Sequence, residues 1–313
     1  MLSILVLSSF LVGVYSFPVQ IRKSSLLPWK DDEPELGFCV ERCDKEEGLL
    51  EVCIGVLDAG NGASEQLDNL QLSFPEQGPG GGLSSQLWPS AIASSIILRS
   101  PEFRHLSRDK DILELGCGVG LAGLVAAEKS ASCVLTDIDE EAVKLLERTF
   151  GLNQGSLQAD LSSKQMDWRD DHSGEDPVDI LLGADIAYYY YLLRPIMDTS
   201  RAFMKKNDSL LLFIGQANRE SQWDLYKNFR DGCYNQLTDE HEGPWPGETK
   251  MLLFNLKMSE WVDTIEDCDL RTDGVVPISV ILNHPLGLTD ISLFKDFEHS
   301  ATQLDDESIM KSF

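Results

Sequence analysis

The chain has 313 residues, 42% of them hydrophobic and 25% charged, with 52 acidic against 26 basic side chains and a formal net charge of −26. That length fits one large domain or two small ones, and the composition is that of an ordinary globular protein. The acid excess argues against a basic face for direct contact with DNA or RNA, and a solvated surface that attracts basic partners is expected instead. The acid lies in short runs at 31–35, 170–176, 239–242 and 305–307. Seven cysteines, an odd number with no C-x-x-C spacing, read as scattered reduced thiols. The five histidines stand apart, and neither H-E-x-x-H nor a serine nucleophile elbow occurs, so no metal centre is expected.

In chain order, "MLSILVLSSFLVGVYS" is uncharged and apolar, and "FPVQIRKSS" after it is basic. Val14 and Ser16 suit the −3 and −1 positions of a signal-peptidase site, although no basic residue precedes the apolar run. The run is short for a transmembrane helix, so no stable membrane insertion is expected. The two-part order resembles the plastid-targeting leaders of algae with secondary plastids. A leader over 1–16 is therefore expected, addressing a secretory route or a plastid, with a cytoplasmic location if it does not function.

Two short strands are predicted over 36–43 and 49–58, around the polar "DKEEG" turn, and 75–85 is a glycine-rich connection. A helix is predicted over 87–100, with Ala91, Ser94, Ser95, Ile97 and Leu98 near one face. From Lys110 the pattern becomes strand–helix alternation. Strands are predicted over 111–116, 133–139, 178–185 and 209–216, with a later one over 276–285. Helices are predicted over 121–131, 140–150 and 192–204, the last kinked or started at Pro195. Asp139 is a fitting N-cap, followed by Glu140 and Glu141 in the first turn, where the helix dipole favours negative charge. This is an α/β pattern with a mostly parallel sheet. The acidic tail is low in apolar residues and is expected to be disordered.

The stretch "DILELGCGVGLAG", residues 111–123, poses the functional question. A strand delivers the chain to a glycine turn, and a helix follows with free N–H groups. A nucleoside triphosphate is excluded, because a P-loop needs a Lys that is absent here. "GVGLAG" formally matches a dinucleotide turn. Yet the strand residues end at Leu115, so the operative pattern is E-x-G-x-G-x-G: Glu114, Gly116, Gly118 and Gly120. A carboxylate at Glu114 would repel a pyrophosphate, whereas the ammonium and sulfonium of S-adenosylmethionine (SAM) suit an acidic wall. Asp137, about twenty residues on, fits the acid that holds ribose hydroxyls in either class of fold.

"ELGCGVG" followed by "LTDID" resembles the first two motifs of the seven-strand SAM-dependent methyltransferases. "LWPSAIASSIIL" upstream, "MDWRD" after the second strand and "DILLGADIAYYY" narrow the resemblance to methyltransferase family 16, a group of protein-lysine methyltransferases. It covers roughly 70–220. It implies a Rossmann-like class I fold: a mostly parallel seven-stranded sheet with flanking helices over 86–292. An N-terminal β extension and linker would occupy 17–85 and a disordered tail 293–313. Carried over by motif, Trp88 packs near the cofactor SAM, and Gly116, Cys117 and Gly118 line its methionine end. Asp137 binds the ribose, Trp168 lies beside the adenine and Ala184 is nearby. Asp185 and Tyr188 match the D-x-x-Y motif of the catalytic site. Long acidic residues 223–273 depart from the family pattern.

The expected reaction is methyl transfer from SAM to a lysine amine on a protein substrate with a basic segment, by a monomeric enzyme. Asp185 would orient the amine, and Tyr188 would hold it by a cation–π contact. The alternatives are a methyltransferase for a small molecule or another protein side chain on the same fold, an inactive SAM-fold scaffold, and an NAD-dependent oxidoreductase.

Overall fold

The computed structural model describes residues 19–20, 35–42, 49–57, 69–73, 82–85, 88–99, 101–155, 157–204, 208–235, 240–258 and 274–284. The leader, most of the glycine-rich connection and the acidic tail lie outside them. Four strands come first: β1 (Val19–Gln20), β2 (Glu35–Arg42), β3 (Leu49–Leu57) and β4 (Asn69–Ser73). They form an antiparallel meander in chain order. The β2–β3 hairpin is the pair of strands expected around "DKEEG".

The alternating part follows. Helices α1 (Pro89–Arg99) and α2 (Pro101–Leu106) lead into β5 (Asp111–Leu115), α3 (Leu121–Ala126), β6 (Ser132–Asp137) and α4 (Glu140–Asn153). Then come β7 (Asp160–Gln165), β8 (Ile180–Ala184), α5 (Tyr190–Phe203), β9 (Leu210–Gln216) and α6 (Glu220–Asp231). A small hairpin, β10 (Cys233–Asn235) and β11 (Glu240–Glu242), precedes the long strands β12 (Glu248–Met258) and β13 (Gly274–His284).

Seven strands make one sheet in the order β7-β6-β5-β8-β9-β13-β12. The first five run parallel, and β13 lies antiparallel between β9 and β12. The sheet is Rossmann-like and mostly parallel, as the resemblance implies. Its central strands are apolar on both faces because helices cover both: Ile112, Leu113 and Leu115 on β5 and Ile180 to Leu182 on β8 are buried. Pro277 is tolerated in β13 because pairing with β9 begins only at Ile278. The β4 residues Leu70 and Leu72 are fully buried in the same core as Leu146, where β4 packs on α4.

Helix α1 begins with a proline at its first position, where the missing N–H is not needed. Two of its buried serines bond back to the helix: Ser94 Oγ donates to the Ser90 carbonyl at 2.6 Å and Ser95 Oγ to that of Ala91 at 2.9 Å. Glu128, 6% exposed, takes Arg99 on one oxygen and Arg104 on the other, which ties α1 and α2 to the end of α3. Helix α5 starts at Tyr190 and runs through Pro195 rather than starting there.

The chain moves outward from β5 through β6 to β7, and from β8 to β9 on the other side. The order therefore reverses between β5 and β8, and an open parallel sheet binds ligands outside the carboxyl ends of its strands at such a point. The glycine turn sits there. Gly120 holds φ +84°, and a Cβ on it would stand 2.5 Å from Leu146 Cδ2 and 2.9 Å from Leu135 Cδ2. Gly120→Ala adds a left-handed non-glycine residue to an overpacked contact. It is expected to cost about 2–4 kcal/mol in urea denaturation. A loss under about 1 kcal/mol would mean that α4 yields easily to the turn.

Candidate functional site

The strands β5, β6, β8 and β9 end on one cavity of about 480 Å³, a size suited to a small-molecule ligand. Nine of the eleven residues singled out in the sequence line it: Trp88, Gly116, Cys117, Gly118, Asp137, Trp168, Ala184, Asp185 and Tyr188. Glu114 and Gly120 do not.

The turn begins directly after Leu115 at Gly116, with φ +62°. A Cβ there would lie 3.0 Å from the Trp168 ring, so only glycine lets the indole close on the turn. The Cys117 N–H donates to the Thr136 carbonyl at 2.9 Å, which fastens the turn to β6. Burial pushes the Cys117 thiol well above its ordinary range, so it stays protonated.

Asp137 ends β6 and is 7% exposed. Its Oδ2 accepts the Gly118 N–H at 2.9 Å and its Oδ1 the Asp139 N–H at 3.0 Å. Burial raises its pKa, and the backbone donors pull it back down. Asp139 caps α4 as expected, its Oδ1 accepting the Glu141 N–H at 3.0 Å. Its other oxygen accepts the Ser84 hydroxyl, which holds the turn Leu83–Ser85 over the cavity. Trp88 Nε1 donates to the Leu83 carbonyl at 3.0 Å from the same side. The Trp168 indole N–H is buried and has no hydrogen-bond partner among the described residues.

Asp185 follows β8 in the left-handed region, φ +61°. Its N–H donates to the Ile214 carbonyl at 2.7 Å. Its Oδ2 accepts from Gln216 Nε2 at 3.0 Å and Arg219 Nη2 at 3.1 Å. Burial raises the Asp185 carboxyl, and the Arg219 charge opposes the rise. Tyr188 is half-buried on the cavity wall and meets Tyr189 edge-on at 4.8 Å. Tyr189 in turn stacks on Tyr191 at 5.3 Å, and the Tyr190 hydroxyl donates to Glu220 Oε2 at 2.6 Å.

Glu114 corrects the sequence reading. It is 1% exposed beneath the turn, and its Oε2 accepts the Gly123 N–H at 2.8 Å. Burial raises its pKa to about 8, toward the neutral form, and it stands under the turn and not on the cavity wall. Glu114 therefore gives no ground for excluding a pyrophosphate from the cavity. Gly120 likewise serves packing, as the cap position of α3.

A carboxyl with a folded pKa above its unfolded value binds a proton that the unfolded chain lacks. Its contribution is complete below the unfolded pKa near 4.5 and is lost as pH rises toward 8. Unfolding free energy is expected to fall over that window by at most about 1.4 kcal/mol per pH unit from this group. Glu114→Gln should flatten the slope in denaturant titrations from pH 5 to 8. An unchanged slope would return Glu114 to the ionised state.

The sequence reading missed Ser84, Gln216 and Arg219. Gln216 ends β9 and Arg219 lies three residues beyond it, at the carboxyl edge of the sheet, and that position is the available signal.

Residues 66–230, more than half of the chain, match the lysine methyltransferase family. The chain belongs to this family. Among curated relatives, it is 25% identical over 162 residues to the calmodulin-lysine N-methyltransferase of Arabidopsis thaliana, covering 50% of this chain and 53% of that protein. It is 27% identical over 168 residues to the protein N-lysine methyltransferase METTL21A of Xenopus tropicalis, covering 51% and 76%. It is 26% identical over 168 residues to the ribosomal protein L11 methyltransferase of Thermotoga neapolitana, covering 53% and 58%. The chain thus spans about half the length of the first of these relatives.

The domain is of the SAM-dependent methyltransferase class. The cavity fits that cofactor. It offers a strand-end carboxylate for a ribose, the glycine turn Gly116–Gly118 along one side, the Trp168 ring, and a wall with Asp137, Asp139, Asp167 and Asp185 for a cationic sulfur. Among the described residues no group of three or more His, Cys, Asp or Glu is placed to hold a metal, and no helix is long and apolar enough to cross a membrane.

Proposed function

We propose that the protein is a lysine N-methyltransferase acting on a protein substrate. The carrying observation is that Asp185 and Tyr188 line the same cavity as the glycine turn and Asp137, in a chain whose family is described by lysine methylation. The three relatives, two lysine methyltransferases and a ribosomal protein methyltransferase by name, support a protein acceptor.

When bound, SAM supplies a methyl group already activated on a sulfonium, so positioning carries most of the catalysis. On the donor side, Asp137 would hold the ribose, Gly116, Cys117 and Gly118 would face the methionine end, and Trp168 with Ala184 would flank the adenine. Trp88 closes the cavity from the start of α1.

The acceptor must arrive as a neutral amine. For a free lysine at pH 7, deprotonation costs about 4.6 kcal/mol. Tyr188 receives the ammonium against its ring, a contact that favours the charged form, and desolvation on entry opposes it and lowers the amine pKa. Asp185 accepts an N–H of the amine and fixes its lone pair. Its charge is already shared with Arg219, which suits orientation better than proton abstraction. Solvent takes the proton as the lysine enters.

The acidic chain then steers a basic target segment. Methyl transfer is expected to slow as ionic strength rises from about 0.01 to 0.15 M, where the screening length contracts from roughly 30 to 8 Å. A flat salt profile would remove steering from the account.

The test of the acceptor is a labelled-methyl reaction with a protein extract, followed by total acid hydrolysis. Label recovered as methylated lysine is expected. Label in another side chain or in a small molecule would overturn the lysine reading and leave the methyltransferase class standing.

A further inference from the structure

The charge lining the cavity is uneven. Four aspartates line it, at 137, 139, 167 and 185, against two cations, Arg169 and Arg219. Arg169 follows Trp168 beyond the end of β7 and is bonded to Asp167 through Nε and Nη2. Arg219 stands at the opposite side, three residues past β9. Its guanidinium lies 6.0 Å from the centroid of the Trp88 ring, and one of its N–H groups goes to Asp185. It is 27% exposed.

Its identity is not explained by local structure. Arg219 occupies the N-cap position of α6 in extended backbone, where Ser, Thr, Asp or Asn is favoured, and its side chain makes no cap bond. A residue that breaks a local rule is a candidate for function.

The strand order then says what Arg219 faces. Asp137 ends β6, the glycine turn follows β5, Asp185 follows β8 and Arg219 follows β9, in that sequence across the sheet. A ligand with its ribose on Asp137 and its chain crossing the glycine turn ends toward β8 and β9. SAM ends there in an α-amino acid, whose carboxylate would otherwise meet a wall of aspartates at a large electrostatic cost.

We propose that Arg219 is the anchor for the carboxylate of the methyl donor, held in place for that task by Asp185. The proposal rests on the donor reading of the cavity. Arginine has five N–H donors in a planar fork, so it can keep its bond to Asp185 and accept a carboxylate as well. Donor binding would thereby set the position of the carboxylate that orients the acceptor amine.

Calorimetric titration of the full chain separates the two ends of the donor. S-adenosylhomocysteine carries the amino acid. 5′-Methylthioadenosine keeps the nucleoside and thioether and lacks it. Wild type is expected to bind the first more tightly than the second. Arg219→Gln is expected to bind S-adenosylhomocysteine at least about tenfold more weakly, the loss of one charge-assisted bond. The same variant should bind 5′-methylthioadenosine within about twofold of wild type, which also reports that it is folded. Arg219→Lys should recover part of the loss, since it keeps the charge without the fork. Equal weakening of both ligands, or unchanged S-adenosylhomocysteine binding in a folded Arg219→Gln, overturns the proposal and leaves the donor reading intact. Wild type that binds neither ligand overturns both.

Discussion

Asp185→Asn is expected to lower methyl transfer by about a hundredfold or more while S-adenosylhomocysteine binds within about threefold of wild type. The basis is geometric. Asp185 is 7% exposed at the end of β8 with φ +61°, and Asn is the non-glycine substitute that best tolerates this region. Asn also keeps an oxygen for the Gln216 and Arg219 donors that now reach Oδ2. What it loses is the charge that orients an incoming amine, and a misplaced acceptor alone can cost about a hundredfold. Single-turnover rates with labelled SAM and calorimetry on the same sample check this. Asp185→Ala should show a similar rate loss with a lower melting temperature, because Arg219 is left without its partner. If the rate and the affinity fall together in Asp185→Asn, Asp185 acts through the donor site by its hold on Arg219, and the separate acceptor role assigned to it is lost.

Asp137→Ala is expected to weaken S-adenosylhomocysteine binding by about a hundredfold, the equivalent of losing two charge-assisted hydrogen bonds to a diol. Two effects combine. The carboxylate proposed for the ribose is gone, and the Gly118 and Asp139 N–H groups lose their acceptor. Asp137→Asn separates them, since its one carbonyl oxygen can satisfy one of those donors. It should bind more tightly than Asp137→Ala and less tightly than wild type. Wild-type affinity in Asp137→Ala, with the fold intact by circular dichroism, would place the ribose elsewhere.

The central sheet was legible because its strands are short, apolar and separated by helical periodicity. "DILELG" and "VDILLGAD" read directly as β5 and β8. Asp139 was legible as a cap because residue type and first-turn acids agree. The edge strand β7, "DLSSKQ", carries no apolar alternation, since edge residues from Asp160 to Gln165 are mostly exposed. Strand β4 offers only Leu70 and Leu72 as a signal. Most of helix α6 and all of strand β12 lie in the acidic stretch 223–273, which departs from the family pattern. In the site, sequence identifies glycines and strand-end acids but not which way a strand-borne carboxylate points. Glu114 was placed on the ligand wall, whereas the pleat turns it under the turn to Gly123. Arg219 was missed because its partner Asp185 lies 34 residues away and only the fold joins them.

The most direct measurement is calorimetric titration of the wild-type chain with SAM, S-adenosylhomocysteine and NADH in parallel. Micromolar binding of both sulfur ligands and no heat from NADH is the predicted result. A folded sample that binds NADH, or that binds neither sulfur ligand, would contradict the account and return "GCGVGLAG" to the dinucleotide reading or to a turn without a ligand.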